Sequence, residues 1–311
     1  MAGVITTQLT DHLNELVPQV KVDAVERKSA LYNLFAKSTQ AGGDSYNWRV
    51  NSAGNSSASS YAESEVEQVA GRQTQAKATL AWKGYRAIMR LTRFAMEDAG
   101  GSAYIVGDLV QSEVEGAFRD LLNDIEDGIY SDGTGNSSAD ITGLQAAIAS
   151  TGTYAGIVRS GATYWQSHVT GSVGALAEAD VQTTLLNLRG STRKGMPTHI
   201  LCNPTVFNIL GNLLDANRRP VIAQSDGDAL HFAGGFVTLS YEGLTVVQVP
   251  GYTAQRMDII QLPNFAIKII RDFTTDPFRN DNDDITAPMT WRGQLINHHS
   301  GQSGTLTGIT S

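Results

Sequence analysis

IEDGIYSDGTGNSSADITGLQAAI, residues 125–148, decides how this chain is read. Gly133 and Gly135 stand among hydroxyls, with Asp132 and Asp140 at either end and apolar residues on both flanks. Those are the ingredients of a phosphate cradle or a calcium loop. A phosphate cradle needs a strand before it and a helix N-terminus after it, so that free backbone N–H groups face the anion. Here the order is reversed, and neither G-x-G-x-x-G nor a Gly-Lys-Ser/Thr ending occurs. As a calcium loop, Asp132, Thr134, Asn136, Ser138 and Asp140 fall at alternate positions. However, Ser137 occupies the place of the sharp-turn glycine and Gly143 that of the bidentate glutamate. The stretch is expected to be a helix-exit turn.

The helix it leaves is YIVGDLVQSEVEGAFRDLLNDIEDGIY, residues 104–130. Val106, Val110, Val114, Ala117, Leu121, Ile125 and Ile129 recur at helical spacing, and Asp and Glu fill the opposite face. At 1.5 Å per residue it runs about 40 Å. Val110, Val114, Leu121 and Ile125 are its expected core face.

Upstream, QAKATLAW sets Ala76, Ala78, Leu80 and Trp82 on one face at period two, and YRAIMRLTRF continues as extended chain with basic residues interleaved. Before it, residues 44–73 pass from DSYNWRV through NSAGNSSASS into the acidic YAESEVEQVAGRQ, with little to form a core. An uncored loop of some 30 residues is unusual in a compact domain and is expected to pack on something else. In residues 1–40, KVDAVERKSALYNLF reads as one short helix, Pro18 limits anything longer, and the segment reads as an arm.

The second half reads as α/β. ADVQTTLLNLRG is a helix with Val181, Leu185 and Leu188 inward. A strand over Thr198–Cys202 runs into a helix capped by Asn203 with Pro204 at its first position. FVTLSY and LTVVQV form a hairpin about Glu-Gly. RMDIIQL, FAIKIIRDF and MTWRGQLINHH are further strands. One mixed sheet with flanking helices is expected.

Composition excludes several classes. Hydrophobic residues are 41% and charged residues 17%, and no apolar run reaches the roughly 20 residues of a membrane span. The first residues lack a basic leader followed by an apolar block, so a secretion signal is not expected. One cysteine precludes an internal disulfide. The net charge of −8 argues against coating nucleic acid by clustered cations. Glycine, 31 of 311 residues, gathers in loops with Ser, Asn and Thr.

The succession of parts, carried by IEDGIYSDGTGNSSADITGLQAAI, THILCNPTVFNIL and YEGLTVVQVPGYTAQRMDIIQLPNFAIKI, resembles the major capsid proteins of tailed bacteriophages, the Hong Kong 97 (HK97-like) fold. The resemblance covers nearly the whole chain and lies in the order of the motifs. It implies an α+β fold: an N-terminal arm at 1–40, an extended β-hairpin loop at 41–75, and a peripheral domain beginning at 76–139 with the spine helix 104–130. An α/β axial domain at 140–255 and closing peripheral strands at 256–311 complete it. Axial domains of that family meet around fivefold and sixfold axes. Some members carry a coiled-coil scaffold segment of about a hundred residues before the arm. None precedes the arm here, so scaffolding is expected from a separate protein or is not needed. Others bond covalently through a loop lysine, whereas residues 38–76 contain none.

No catalytic, cofactor-binding or metal site is expected. His12, His168, His199, His231 and His298–His299 are scattered, and the last two, adjacent on a strand, point to opposite faces and read as surface residues. Cys202 reads as a buried, inert thiol. RNDNDDITAP, residues 279–288, reads as a solvated acidic turn, and RGSTRKG, residues 189–195, as a basic loop for a subunit or a DNA contact.

The resemblance implies a structural protein that self-assembles into an icosahedral shell around a double-stranded DNA genome, in pentamers and hexamers and without covalent links. Glu63, Glu65 and Glu67, with Arg49 and Arg72, would carry the loop's contacts between subunits. A scaffolding protein, a portal, a decoration protein and non-specifically held DNA are the implied partners, with no membrane. The place is the virion, assembled in the host cytoplasm. An encapsulin-like compartment of the same fold is the alternative, and an α/β enzyme with a Gly-rich ligand loop the alternative of another class.

Overall fold

The structure, a computed structural model, describes residues 30–55, 57–66, 71–94, 103–190, 195–217, 238–252, 255–281 and 284–310. In chain order its main elements are α1 (Ala30–Leu34), β1 (Ala36–Thr39), β2 (Ser45–Ala53), β3 (Thr74–Ala81), β4 (Lys83–Thr92) and α2 (Ala103–Tyr130). β5 (His168–Thr170), α3 (Glu178–Gly190), β6 (His199–Cys202), α4 (Pro204–Asn217), β7 (Thr238–Tyr241) and β8 (Leu244–Gln248) follow. The chain closes with β9 (Arg256–Ile260), β10 (Phe265–Thr275), β11 (Arg279–Asp281), β12 (Asp284–Asn297) and β13 (Gly304–Thr307).

Two large sheets form where one mixed sheet was expected, beside three two-stranded ones among the described residues. The first has five strands. β1 runs parallel to β10, β10 is antiparallel to β12, and β12 also pairs with β11 and β4. The second has six, in the order β7-β8-β6-β9-β13-β5. The chain changes sheets at Leu262–Asn264, a single 3₁₀ turn with Pro263 inside it. The expected closing segment 256–311 is therefore divided: β9 and β13 complete the second sheet, and β10, β11 and β12 build the first. Hydrophobic patterning alone does not distinguish these strands, because both sheets bury a face.

The 28-residue α2 lies against the first sheet, with Val110, Val114, Phe118, Leu121, Ile125 and Ile129 each at most 1% exposed. Phe118 meets Phe273 of β10 at 4.7 Å between ring centroids. At its exit, Asp132 Oδ1 accepts from the N–H and hydroxyl of Thr134 at 2.9 and 2.7 Å. Those are the bonds of a turn, not of a metal loop. The returning chain then passes so near the carbonyls of Gly128 and Ile129 in the last helical turn, and of Ser131 just past it, that a Cβ at Gly143 would overlap them.

In the second sheet Asn203 caps α4 as expected, its Oδ1 accepting from Val206 N–H at 2.8 Å. Glu242 and Gly243, both at positive φ, make the two-residue turn between β7 and β8. Cys202 is buried there, and burial pushes its thiol up to about 12.

Three expectations are corrected. Residues 30–39 of the arm belong to the body: Leu31, Tyr32, Leu34 and Phe35 are buried, with Tyr32 edge-on to Phe273 and Trp291. These apolar residues look too few for a core until β10 and β12 supply the rest. Residues 279–288 are not a free turn. Asp284 onward is strand β12, and alternate side chains, Ile285 and Ala287, are buried opposite β4. His298 and His299 follow the end of β12 and are half-buried among aromatic rings.

Candidate assembly interface

β2 and β3 form an antiparallel hairpin with Ser45 opposite Ala81 and Ala53 opposite Thr74, and one irregularity between Asn51 and Ala53. Its two ends differ in kind. At the base Val50, Ala78 and Leu80 are buried, and Thr79 N–H donates to the Ala155 carbonyl at 2.9 Å. Trp48 lies 6.5 Å from Trp165 and 6.0 Å from His298 between ring centroids, and its indole N–H donates to the His298 carbonyl at 3.3 Å. The outgoing limb is thus anchored, which its low apolar content did not suggest; three aromatic and β-branched residues, Tyr46, Trp48 and Val50, do that work.

Beyond Ala53 the chain is exposed, with Tyr61 and Val66 each 87% accessible. Glu63 and Glu65 are exposed there, and Glu65 Oε2 accepts from Ala62 N–H at 2.9 Å, which holds a local turn. Arg49 on β2 and Arg72 beside β3 are also exposed. Glu67 lies outside the described residues, as do most of the basic loop 189–195 and residues 1–29 of the arm. The four α2 residues Val110, Val114, Leu121 and Ile125 are brought together in the core, away from the hairpin tip.

Burial depresses both histidines at the hairpin base, and the Lys268 charge adds to the effect on His298. A folded-state value below the unfolded one means the unfolded chain binds more protons, so stability is lost as pH falls below the ordinary histidine value of about 6.5. The thermal midpoint is expected to drop between about pH 7 and 5, and the drop should shrink in His298→Gln/His299→Gln. An unchanged drop in that variant would remove the histidines as its cause.

Two buried polar devices tie the region together. Arg159, 1% exposed, donates to the carbonyls of Ala146 (2.7 Å), Ala147 (3.1 Å), Thr151 (3.1 Å) and Trp165 (3.4 Å) and to Ser300 Oγ (3.1 Å). Its guanidinium also lies over the Tyr154 ring at 5.4 Å. Burial lowers it to about 10, so it stays charged at neutral pH. Asp258, fully buried on β9, binds Arg256 Nε at 2.9 Å and the Tyr252 hydroxyl, and Arg256 reaches the Ile148 carbonyl at 3.3 Å. Neither was foreseen, because Arg159 and Asp258 look in sequence like any surface charge. Among the described residues no group of three His, Cys, Asp or Glu is placed to hold a metal ion, and no helix is long and apolar enough to cross a membrane.

A sheet backed by one long helix, an anchored hairpin with an exposed tip, and a second mixed sheet flanked by α3 and α4 together define the Hong Kong 97 fold. The fold recurs in solved shells. The chain is similar to the capsid asymmetric unit of cyanophage A-1(L) at 20% identity, covering 90% of this chain and 92% of that one with a TM-score of 0.72. A Mycobacterium phage Bobi chain matches at 13% identity over 90% and 91%, TM-score 0.59. The holo-SrpI encapsulin complex of Synechococcus elongatus PCC 7942 matches at 9% over 90% and 86%, TM-score 0.58. No protein-family model and no curated protein matches the chain.

Proposed function

We propose that the chain is the major coat subunit of a tailed-phage shell, which self-assembles into pentamers and hexamers around double-stranded DNA. The observation that carries this reading is the hairpin: its base is fixed in the core while Tyr61 and Val66 at its tip stand in solvent. A single chain gains nothing from holding apolar side chains there; burial against another copy explains them. The higher TM-score with the cyanophage capsid than with the encapsulin favours the phage reading over the cellular compartment. The net charge of −8 lets DNA be packed without adhering to the wall. Scaffolding, portal and decoration proteins would be separate chains, and assembly would precede packaging in the host cytoplasm.

Size exclusion and negative-stain microscopy of the purified chain test the reading: rings or shells are expected, and a small oligomer at every concentration overturns it. The lattice should also be non-covalent, because the span 38–76 offers only Arg49 and Arg72 as basic residues and no lysine to act as nucleophile. Boiled in denaturing detergent, shells should give one band at 33.3 kDa. A surviving ladder of oligomers would show covalent chemistry instead.

A further inference from the structure

Just past the end of α2 the backbone adopts a conformation that L-residues avoid. Asn136 (φ 46°, ψ 50°), Ser137 (φ 56°, ψ 39°) and Ser138 (φ 65°) are left-handed one after another. Asparagine visits that region as a single residue, but in a run of them each Cβ crowds the following carbonyl oxygen. All three side chains are exposed, so burial does not offset the cost.

Strain of this kind persists where the surroundings over-determine the backbone. Before the run, Asp132 fixes Thr134, and Gly133 N–H donates to Ser131 Oγ at 3.2 Å. After it, Ile141 N–H donates to the Tyr85 hydroxyl at 3.0 Å and Thr142 N–H to Gln294 Oε1 at 3.3 Å. Between these fixed ends the Lys83 ammonium donates to the Ser138 carbonyl. The helix thus holds one end of the run, and the first residues of β4, with Gln294 of β12, hold its middle and its far end.

The start of β4 is also the root of the hairpin. Only Trp82 separates Lys83 from the end of β3, and Trp82 lies 6.1 Å from Tyr46 of β2 between ring centroids. Among the described residues β4 pairs with β12 alone, so one side of its first residues is free to shift. A change in the direction of the hairpin therefore pulls on Lys83 first and on Tyr85 next. The end of α2 does not follow, because Ile125 and Ile129 are buried in the core.

We infer that Asn136–Ser138 is a loaded turn: the hairpin root, through Lys83 and Tyr85, holds it left-handed in the free subunit, and redirection of the hairpin in a shell lets it relax. The strain given up then favours the redirected hairpin. Lys83 is a positioning residue, acting through the Ser138 carbonyl. This rests on the shell reading and adds a conformational step to it.

Glycine tests it, because at positive φ it removes the steric cost without touching a neighbour. Ser137→Gly/Ser138→Gly is expected to raise the melting temperature of the free subunit by about 2–5 °C. By stabilising the loaded form it should also slow shell formation at least about threefold at equal concentration. Lys83→Met cuts the tie from the hairpin root. In the free subunit the protection factors of the bonded amides of Ser138, Ala139 and Ile141 should fall at least about tenfold. Adding the two glycines to Lys83→Met should return them to within about threefold of the parent, a rescue that simple loss of one hydrogen bond does not allow. Circular dichroism checks that each variant is folded. A glycine variant that melts with the parent would show no strain at 136–138. One that melts higher yet assembles at the parent's rate would show strain that assembly does not use. Unchanged protection in Lys83→Met, or no rescue by the glycines, would remove the tie. Each of these overturns the inference and leaves the shell reading standing, since melting and exchange are read on the free subunit. Failure of the parent chain itself to assemble would overturn the shell reading instead.

Discussion

Leu121→Asp is expected to leave no folded subunit. Leu121 is 1% exposed, on the face of α2 that also buries Phe118, Leu122 and Ile125 against the first sheet. Removing its side chain costs about 2–5 kcal/mol by the usual range for a buried leucine. Placing a carboxylate there adds the penalty of burying an unpaired charge, several kcal/mol more. The acidic outer side of the same helix, with Asp120 and Asp124 nearby in sequence, offers the new charge no relief. Together these terms rival the whole stability of a domain, about 5–15 kcal/mol. Glu115→Gln is the control: Glu115 is exposed and accepts one bond from Gln111 at 2.9 Å, so the change should stay within about 0.5 kcal/mol. Soluble yield and shell count measure both variants. Equal yields would mean that the buried face of α2 has been assigned wrongly.

The contrast between α2 and the rest of the molecule shows what was legible in the sequence. Seven apolar residues at helical spacing and an acidic opposite face permit one solution, so the helix could be read to within a residue. Gly143 was read as part of a turn, but its reason, contact with the carbonyls of Gly128 and Ile129, needs the returning chain to be placed. Strands were found individually and assigned to the wrong number of sheets, since β9 and β10 are both apolar and only a 3₁₀ turn at Pro263 parts them. The arginines of the first sheet are the clearest case of information that lies in register. The interleaved basic residues of β4 are visible in sequence, yet Arg271 and Arg292 join Arg86 only because a bulged β10 pairs with β12 in one particular alignment. Buried Arg159 and Asp258 were missed for a related reason. The partners of Arg159 are mainly backbone carbonyls, which leave no pattern of residue types along the chain, and the Arg256–Asp258 pair, though adjacent in sequence, gives no sign there of its burial with Tyr252.

Arg159→Met is expected to lose on the order of 4 kcal/mol or more, which would place it among the most damaging single changes available outside the helix. Hydrogen bonds to a charged group are worth about 1.5–3 kcal/mol each, and deleting the donor leaves buried acceptors unsatisfied. Here the acceptors are four carbonyls, on Ala146, Ala147, Thr151 and Trp165, and the Ser300 hydroxyl. Arg159→Lys separates charge from shape. An ammonium keeps the cation but cannot fan its donors across acceptors lying on several sides of a planar fork, so its loss should approach that of the methionine variant. The effect should reach beyond stability, because Trp165 is both an acceptor of Arg159 and the ring beneath Trp48 at the hairpin base. Once the loop carrying Trp165 loosens, the direction in which the hairpin leaves the body is no longer fixed. Shell formation should then fail at temperatures where the variant still melts cooperatively. A lysine variant with the parent's melting temperature and normal shells would show that charge alone suffices at position 159 and that the fork geometry is incidental.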